Sequence, residues 1–192
     1  GDYNWEEPEG TRDGVIDDND RMVIGNAMPD VTGGLNTTVT WKNVSLYLGF
    51  YYSLGGQIYN AAEHNRNMFK YTGTTPSPEV IHNMWLHPGD QAIYPRPYND
   101  DYNNARMGNS FYLEDASFIR LQNVRIAYDL PENWIKKLML KNIYAFVNNA
   151  LTWTNYSGFD PEFSTSNPLQ VGKDSYRYPR KREYGIGFSA NF

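Results

Sequence analysis

The fold of this chain is decided by the stretch Val44–Leu54, which reads VSLYLGFYYSL. Every second side chain is apolar or aromatic, and the positions between them carry Ser45, Tyr47, Gly49, Tyr51 and Ser53. A period of two predicts a β-strand with one apolar face. Its length is close to the roughly 9–11 residues that a tilted strand needs to cross a membrane.

Two neighbouring segments show the same alternation. In the segment that precedes Val44, one face carries Leu35, Thr37, Val39 and Trp41. Lys42-Asn43 is predicted to be a tight hairpin turn between the two segments. A third strand, at about Ser117 to Leu130, changes phase near Gln122-Asn123, which predicts a β-bulge. Pro131 ends this strand because proline cannot donate to the ladder. Residues 132–138 are predicted to form one or two helical turns.

Two more strands complete the pattern. The fourth places on one face Ile143, Ala145, Val147, Leu151 and Trp153. The fifth runs to the last residue of the chain and carries on one face Tyr184, Ile186, Phe188, Ala190 and Phe192. Short turns alternate with long connections at 1–32, 56–112 and 157–181. This alternation is typical of a transmembrane barrel, so we predict an all-β, antiparallel barrel segment of about five strands.

Composition is consistent with that prediction. The 192 residues carry a net charge of −5, which argues against a nucleic-acid partner. Sixteen tyrosines and five tryptophans stand in a polar chain, a combination found in barrels with aromatic girdles. Without cysteine, disulfides and thiolate chemistry are excluded. Residues 1–9 are acidic and polar and do not resemble a signal peptide, so we expect the chain to begin within a longer protein.

Soluble proteins with other functions remain alternatives at this point. A soluble β-sandwich also has alternating strands, and a secreted carbohydrate-binding or adhesion module would share the aromatic and polar composition. An extracellular hydrolase is a third alternative. A sandwich accommodates poorly a connection of about fifty residues. Detergent dependence would separate the membrane protein from both soluble classes.

Seven motifs, in order, give the chain a family resemblance. They are DGVIDDNDR (13–21), IGN with PD and TGG (24–34), FIRLQNV (118–124), YDLP (128–131), NNALTWT (148–154), YSGFDPE (156–162) and the terminal strand. The chain resembles the C-terminal region of the SusC/RagA-type TonB-linked outer-membrane transporters. Residues 56–112 are the divergent stretch.

This resemblance implies a large barrel with an internal plug, in the outer membrane of a Gram-negative bacterium. It further implies a SusD-like surface lipoprotein as a lid, TonB as the energy source, and import of glycans or peptides. Residues 1–192 would form the C-terminal part of the barrel, with 1–32 an extracellular loop and 33–192 the last five strands and their loops. The chain would need the remainder of the barrel and contact with outer-membrane lipid.

The acidic stretch at residues 9–20 is a candidate calcium site. Oxygen ligands at loop positions 1, 3, 5, 9 and 12 would come from Glu9, Thr11, Asp13, Asp17 and Asp20. Glu9 and Thr11 depart from the usual Asp and Asp/Asn. The alternative is a turn held by hydrogen bonds from side chains to the backbone. Calcium is the one cofactor that the sequence suggests.

The divergent stretch holds candidate contact residues for a substrate or a lid protein. They are Trp85, Tyr94, Tyr98, Asn99 and Tyr102. Catalysis is not predicted. The three histidines lack metal-binding spacing, and we expect Asp160 and Glu162 to be solvated loop acids rather than a glycosidase pair.

The terminal strand is a candidate assembly signal. Its face of Tyr184, Ile186, Phe188 and Phe192 resembles the signal that the outer-membrane assembly machinery reads. The apolar face would meet lipid, while the small residues Gly185, Gly187 and Ser189 would face inward. Trp153 and Trp134 are expected at the outer and inner lipid interfaces.

Overall fold

A computed structural model describes residues 3–10, 12–67, 76–96, 108–162 and 171–190. Side chains are described throughout these ranges except at 136–138. Most of the described chain is antiparallel β-sheet, as predicted. Among the described residues, no helix is long and apolar enough to cross a membrane.

The main sheet contains five strands. In chain order they are β1 (Val31–Trp41), β2 (Val44–Leu54), β5 (Phe118–Asp129), β6 (Leu140–Thr154) and β8 (Glu183–Ala190). Their spatial order is β1-β2-β5-β6-β8, and every neighbouring pair is antiparallel. All five predicted strands are present, and β1 and β6 begin several residues earlier than the alternation alone indicated.

Short connections lie at one end of this sheet, which we call the turn end. Lys42 has a φ of 54° in the two-residue turn between β1 and β2. The side chain of Asn43 donates to the Asp129 carbonyl at 2.9 Å and so ties this turn to the end of β5. Helix α3 (Glu132–Leu138) follows Pro131 and leads into β6. The hairpin turn, the strand end and the helix are confirmed.

Two β-bulges cross the middle of the sheet. Phe50 of β2 pairs with Leu121 and Gly49 pairs with Asn123, so Gln122 is the extra residue of β5. On the other side, Leu121 pairs with Leu151 and Asn123 pairs with Asn148, which gives β6 an extra residue too. The predicted bulge at Gln122 is confirmed, and the one in β6 is new.

A smaller three-stranded sheet lies at the opposite end, the loop end. It consists of β3 (Gln57–Asn60), β4 (Leu113–Asp115) and β7 (Lys173–Asp174), with β3 antiparallel to β4 and parallel to β7. Helices α1 (Ala61–Asn67) and α2 (Pro78–Asn83) lie in the same part of the chain. The long connection predicted at 56–112 thus contains β3 and both helices.

Burial is concentrated at the loop end. The buried cluster is formed by Ile58, Ala116 and Tyr156, and Val80 and Tyr112 are buried as well. Leu130 is the buried apolar residue at the turn end. The middle of the main sheet has no buried apolar side chain among the described residues. Neither face of the middle of the five-stranded sheet thus packs against a hydrophobic core in the described part of the chain.

Candidate membrane-facing surface and loop anchor

One face of the main sheet, here the apolar face, is covered with apolar side chains in six cross-strand rows. Paired residues point to the same side of a sheet, so the register defines each row. From the turn end, the rows are Trp41/Val44/Tyr128/Ile143/Phe188, Val39/Leu46/Ile126/Ala145/Ile186, Thr37/Leu48/Val124/Val147/Tyr184, Leu35/Phe50/Leu121/Leu151, Gly33/Tyr52/Ile119/Trp153 and Val31/Leu54. The two bulges keep the apolar residues on one side along the full length of the sheet.

Nothing in the described part of the chain covers this face. Leu35 is 62% exposed, Trp41 is 69% exposed and Ile186 is 83% exposed. Contiguous apolar surface of this breadth is rare on soluble monomers and marks a surface that meets another apolar phase. A β-sandwich would place a second sheet here, and the three-stranded sheet does not do so.

The height of the apolar face matches a bilayer. Val31 to Trp41 spans the six rows in ten residue steps, or about 33 Å at about 3.3 Å per residue. A strand tilt of about 40° reduces this to about 25 Å, the height of the apolar band on outer-membrane barrels. Trp41 and Trp153 lie in rows near opposite ends of the face. Trp134, in α3, is exposed at the turn end.

The opposite face, here the polar face, carries a row of amides at the bulges. Asn36, Gly49, Asn123, Asn148 and Glu183 are aligned across all five strands. The amide nitrogen of Asn123 donates to Asn148 Oδ1 at 3.0 Å, and that of Asn148 donates to Glu183 Oε2 at 3.2 Å. Asn123 and Asn148 each donate toward β8, so this part of the row has one direction of hydrogen bonding.

Nearer the loop end, the polar face holds a buried cation. Arg120 is only 2% exposed. Its Nη2 donates to Asp160 Oδ1 at 2.5 Å and its Nη1 donates to Glu162 Oε2 at 2.7 Å. Nε donates to the Thr152 hydroxyl at 3.0 Å on the neighbouring strand. Arg180 adds a bond to the other oxygen of Glu162 at 2.5 Å. We call these five residues the loop anchor.

The loop anchor joins three of the sequence motifs, which are FIRLQNV, NNALTWT and YSGFDPE. Two carboxylates and a second arginine surround the buried guanidinium, so its charge is compensated, as burial of an ion requires. The expectation that Asp160 and Glu162 are solvated loop acids is wrong, since both are mostly shielded and both bind Arg120. Sequence reasoning missed this because the partners lie about 40 residues apart.

A second set of contacts fixes the three-stranded sheet. Asn60 Nδ2 donates to Glu114 Oε1 at 2.9 Å, and the Ser157 hydroxyl donates to the same oxygen at 2.7 Å. The Tyr156 hydroxyl donates to Asp174 Oδ2 at 2.7 Å in the buried cluster. Burial, reinforced by the bond to Asp174, raises the pKa of Tyr156 above its ordinary value. These bonds connect β3, β4, β7 and the YSGFDPE segment into one unit.

An aromatic cluster lies beside that unit. The Tyr59 hydroxyl is 2.6 Å from His64 Nδ1, and the His64 ring stacks against Tyr112. Burial raises the pKa of Tyr59 to about 12. Tyr3, near the start of the chain, contacts Tyr112 through paired hydroxyls at 3.0 Å. The N-terminal segment is therefore held against the loop end.

Two of the five predicted substrate or lid contacts are described. Trp85 and Tyr94 are half-buried, and the Trp85 amide donates to the Tyr94 carbonyl at 3.0 Å. The Tyr94 ring packs edge-on against Phe111 with centroids 5.7 Å apart. Tyr98, Asn99 and Tyr102 lie outside the described residues. The structure thus brings Trp85 and Tyr94 together at the loop end.

The acidic stretch 9–20 forms a turn held by its own side chains. Asp13 Oδ1 accepts from the Val15 amide at 2.8 Å, Asp17 Oδ1 from the Asn19 amide at 2.7 Å, and Asp20 Oδ2 from the Asp17 amide at 2.8 Å. Gly14, with a φ of 84°, makes a sharp turn directly after Asp13. Within the described ranges, no three His, Asp or Glu side chains are grouped to hold a metal ion. Thr11 is outside those ranges. The geometry favours the turn over a calcium cage.

The predicted assembly signal lies on the apolar face. Tyr184, Ile186 and Phe188 of β8 are strongly exposed there, whereas Phe192 lies outside the described residues. On the polar face, a Cβ at Gly185 would collide with the Phe146 ring, and one at Gly187 with the Tyr144 ring. Both glycines therefore leave the space that these two rings of β6 occupy beside β8.

Proteins named as TonB-dependent receptors match most of this chain in sequence. No family model matches it. TonB-dependent receptor P39 of Formosa agariphila is 34% identical over 178 residues, which are 91% of this chain and 17% of that receptor. TonB-dependent receptor SusC of Bacteroides thetaiotaomicron is 25% identical over 187 residues, 93% of this chain and 17% of SusC. The chain thus spans about a sixth of the relatives that it matches.

Solved structures agree with these relatives. The RagAB peptide importer in its open-open state is similar with a TM-score of 0.63 and 26% identity, over 85% of this chain and 17% of that chain. A second structure of the RagAB peptide transporter has a TM-score of 0.67 at 24% identity, which supports the fold. The resemblance predicted from the motifs is thereby confirmed, and the chain is homologous to a segment of the TonB-dependent receptors of the SusC/RagA type.

Proposed function

We propose that this chain forms part of the wall of a transmembrane β-barrel in a TonB-dependent importer of the outer membrane. The observation that carries the proposal is the uncovered apolar face, six rows high, on a sheet whose other face is polar. In a barrel, lipid covers the apolar face and the polar face lines the lumen. The homology to TonB-dependent receptors supports the same assignment.

The unequal connections give the proposed wall an orientation. The turn end, with Lys42-Asn43 and α3, faces the periplasm. The loop end, with the three-stranded sheet and the loop anchor, faces outward, as long loops do in outer-membrane barrels. Residues 1–192 are the C-terminal part of the receptor in this proposal, with 1–32 an extracellular loop and 33–192 the last five strands and their loops.

Other parts of the receptor and its partners supply the remaining steps of import. The rest of the barrel closes the two open sheet edges, because an open edge is not viable in lipid. A plug, TonB and a SusD-like lipoprotein lid are proposed from the resemblance. The transported nutrient is a glycan or a peptide. The similar RagAB structures are those of a peptide importer and a peptide transporter, which supports import as the activity class.

Roles for the predicted site residues follow from their positions. Trp85 and Tyr94, together with Tyr98, Asn99 and Tyr102, are proposed to contact the lid or the nutrient. Tyr184, Ile186, Phe188 and Phe192 are proposed as the assembly signal. No catalytic role is proposed. The relatives are named as receptors and importers, and Asp160 and Glu162 hold Arg120.

Matched lysine substitutions on β1 test whether the apolar face meets lipid. Leu35 and Thr38 are both exposed, but they point to opposite faces. In lipid, Leu35→Lys should destabilise the receptor by about 2–4 kcal/mol near the membrane midplane. Thr38→Lys should be tolerated in a water-filled lumen. The measurement is the amount of heat-modifiable receptor in the outer-membrane fraction of the cell envelope.

The same fractionation tests location and partners. Wild-type protein should be recovered with the outer membrane and should co-purify in mild detergent with a lipoprotein. If the two lysine variants accumulate equally, the apolar face does not meet lipid. Recovery of the wild type as a free, detergent-independent protein would overturn the proposal and favour a secreted binding module.

A further inference from the structure

A polar cleft opens on the polar face of the main sheet, beside the two bulges. Its volume is about 410 Å³, within the roughly 300–1,000 Å³ of small-molecule sites. Four amide side chains and three charged ones line it. The amides belong to Gln122, Asn123, Asn148 and Asn149, and the charges to Arg180, Lys181 and Glu183. In the proposed barrel this cleft is on the lumen wall.

Backbone irregularities create the cleft. Bulges re-aim side chains and are frequent beside functional sites. Here Gln122 is the extra residue of β5, and Asn149, in the bulged part of β6, has a φ of 53°. Left-handed backbone costs a non-glycine residue free energy, so the surrounding structure must hold Asn149 there. Its amide does so by donating to the Lys181 carbonyl at 2.8 Å.

The hydrogen bonds within the cleft leave polar atoms for a ligand. Asn123 and Asn148 each donate along the amide row, which leaves Asn123 Oδ1 and one oxygen of Glu183 as acceptors. The side chains of Gln122 and Lys181 make no hydrogen bond or ion pair among the described residues. Arg180 is bound to Glu162, so Lys181 is the cation available to a ligand. The cleft thus presents both donors and acceptors to a ligand.

The residues that line the cleft indicate which chemical class of ligand it can bind. Ligand pockets usually present much apolar surface to bury apolar groups. The present cleft has no aliphatic or aromatic side chain in its lining, since all of its lining residues are amides or ions. A peptide would leave its apolar side chains unmatched there. A sugar presents hydroxyl groups that both donate and accept, which match this mixture of donors and acceptors.

We propose that this cleft is a saccharide-binding subsite on the lumen wall, with Gln122 and Lys181 as the principal contact residues. This inference rests on the proposed function, and it narrows the nutrient of the importer to a glycan.

The test uses the complete receptor that contains this chain, purified in detergent. Wild type and variants are applied to an array of neutral oligosaccharides and to an array of oligopeptides of similar length. Gln122→Leu and Lys181→Met should each weaken oligosaccharide binding about threefold to tenfold, the loss expected for one hydrogen bond. Gln91→Leu and Lys141→Met are matched controls, since both residues are exposed and outside the cleft.

The outcomes separate the two proposals. Oligosaccharide binding that falls in both cleft variants and stays unchanged in both controls supports the subsite. Oligosaccharide binding that is unaffected by the cleft variants overturns the subsite while the importer assignment stands. Peptide binding alone overturns the saccharide class. Wild-type protein that is absent from the outer membrane overturns the proposed function itself.

Discussion

At the scale of single residues, Arg120 is the clearest case of a side chain whose role the fold creates. It is the third residue of β5 and lies between two apolar residues, yet its guanidinium is buried among Thr152, Asp160 and Glu162. Pro161 separates the two acids, and the Glu162 amide donates to Asp160 Oδ1 at 3.0 Å. Both carboxylates therefore converge on one cation, which pins the segment 156–162 to the sheet.

Replacing Arg120 should destabilise the loop end, because two shielded carboxylates would lose the cation that they bind. We expect Arg120→Met to lower the stability of the loop end by about 3–5 kcal/mol, the usual cost of breaking a buried ion pair. Arg125→Met is the matched control, since Arg125 is on the same strand and face but is exposed and stacks on Tyr144. The measurement is the rate of proteolysis at the loop end in intact outer membranes.

Equal proteolysis rates for the two variants would contradict the role assigned to the loop anchor. Faster cleavage in Arg120→Met alone would support it. Heat-modifiability of the barrel should change little in either variant, because the anchor lies beyond the middle rows of the sheet.

At the scale of elements, the two bulges determine which residues share a face. Residues of β5 before Gln122 place Ile119 and Leu121 on the apolar face, and residues after it place Val124 and Ile126 there. If Gln122 took an ordinary place in the alternation, one half of the strand would turn to the opposite face. The apolar face is therefore continuous because the bulge leaves Gln122 out of the alternation.

Deleting Ala127, in the regular part of β5, should prevent assembly of the receptor. The deletion would move Arg125 to the lipid face or, if the other half shifts, turn Tyr128 away from it. Deleting Gln122 removes the extra residue of the bulge and leaves Leu121 and Asn123 in phase, so this variant should assemble and is the control. The measurement is the amount of heat-modifiable receptor in outer membranes. Normal levels of the Ala127 deletion would contradict the faces assigned to β5.

Much of the main sheet could be predicted because its strands are long. Alternation over eleven residues in Val44–Leu54, the phase change at Gln122 and the stop at Pro131 are all visible locally. Strands β3, β4 and β7 have four, three and two residues, too few to show a period. The loop anchor was missed for a different reason, since its partners meet only through the fold.

At the scale of the whole molecule, the two ends of the sheet are unequal. Helices α1 and α2, the three-stranded sheet and most buried apolar residues lie at the loop end, and the turn end holds only short connections and α3. In the proposed orientation, the loop end is outside the cell and the turn end is in the periplasm.

Cysteine labelling on intact cells tests this orientation. The chain contains no cysteine, so introduced ones are distinguishable within it. Gln91→Cys, at the loop end, should react with a membrane-impermeant maleimide on intact cells. Glu132→Cys, in α3, should react only after the outer membrane is permeabilised. Both residues are exposed. Receptor without the substitutions gives the background.

The reverse labelling pattern would place the turn end outside and contradict the proposed orientation. Labelling of both sites on intact cells would mean that the sheet does not separate two compartments. Either result would leave the fold of the sheet unchanged.

The uncovered apolar face also limits the time that this chain can spend in water. Before insertion, the face would attract other apolar surfaces, and the unpaired edges of β1 and β8 would present free ladder groups to any passing strand. Both routes lead to aggregation at a rate that rises with concentration. In the proposed barrel, insertion into the membrane therefore has to be faster than aggregation of chains that have not yet folded. Loss of the periplasmic chaperones should lower the amount of receptor even if its stability in the membrane is unchanged.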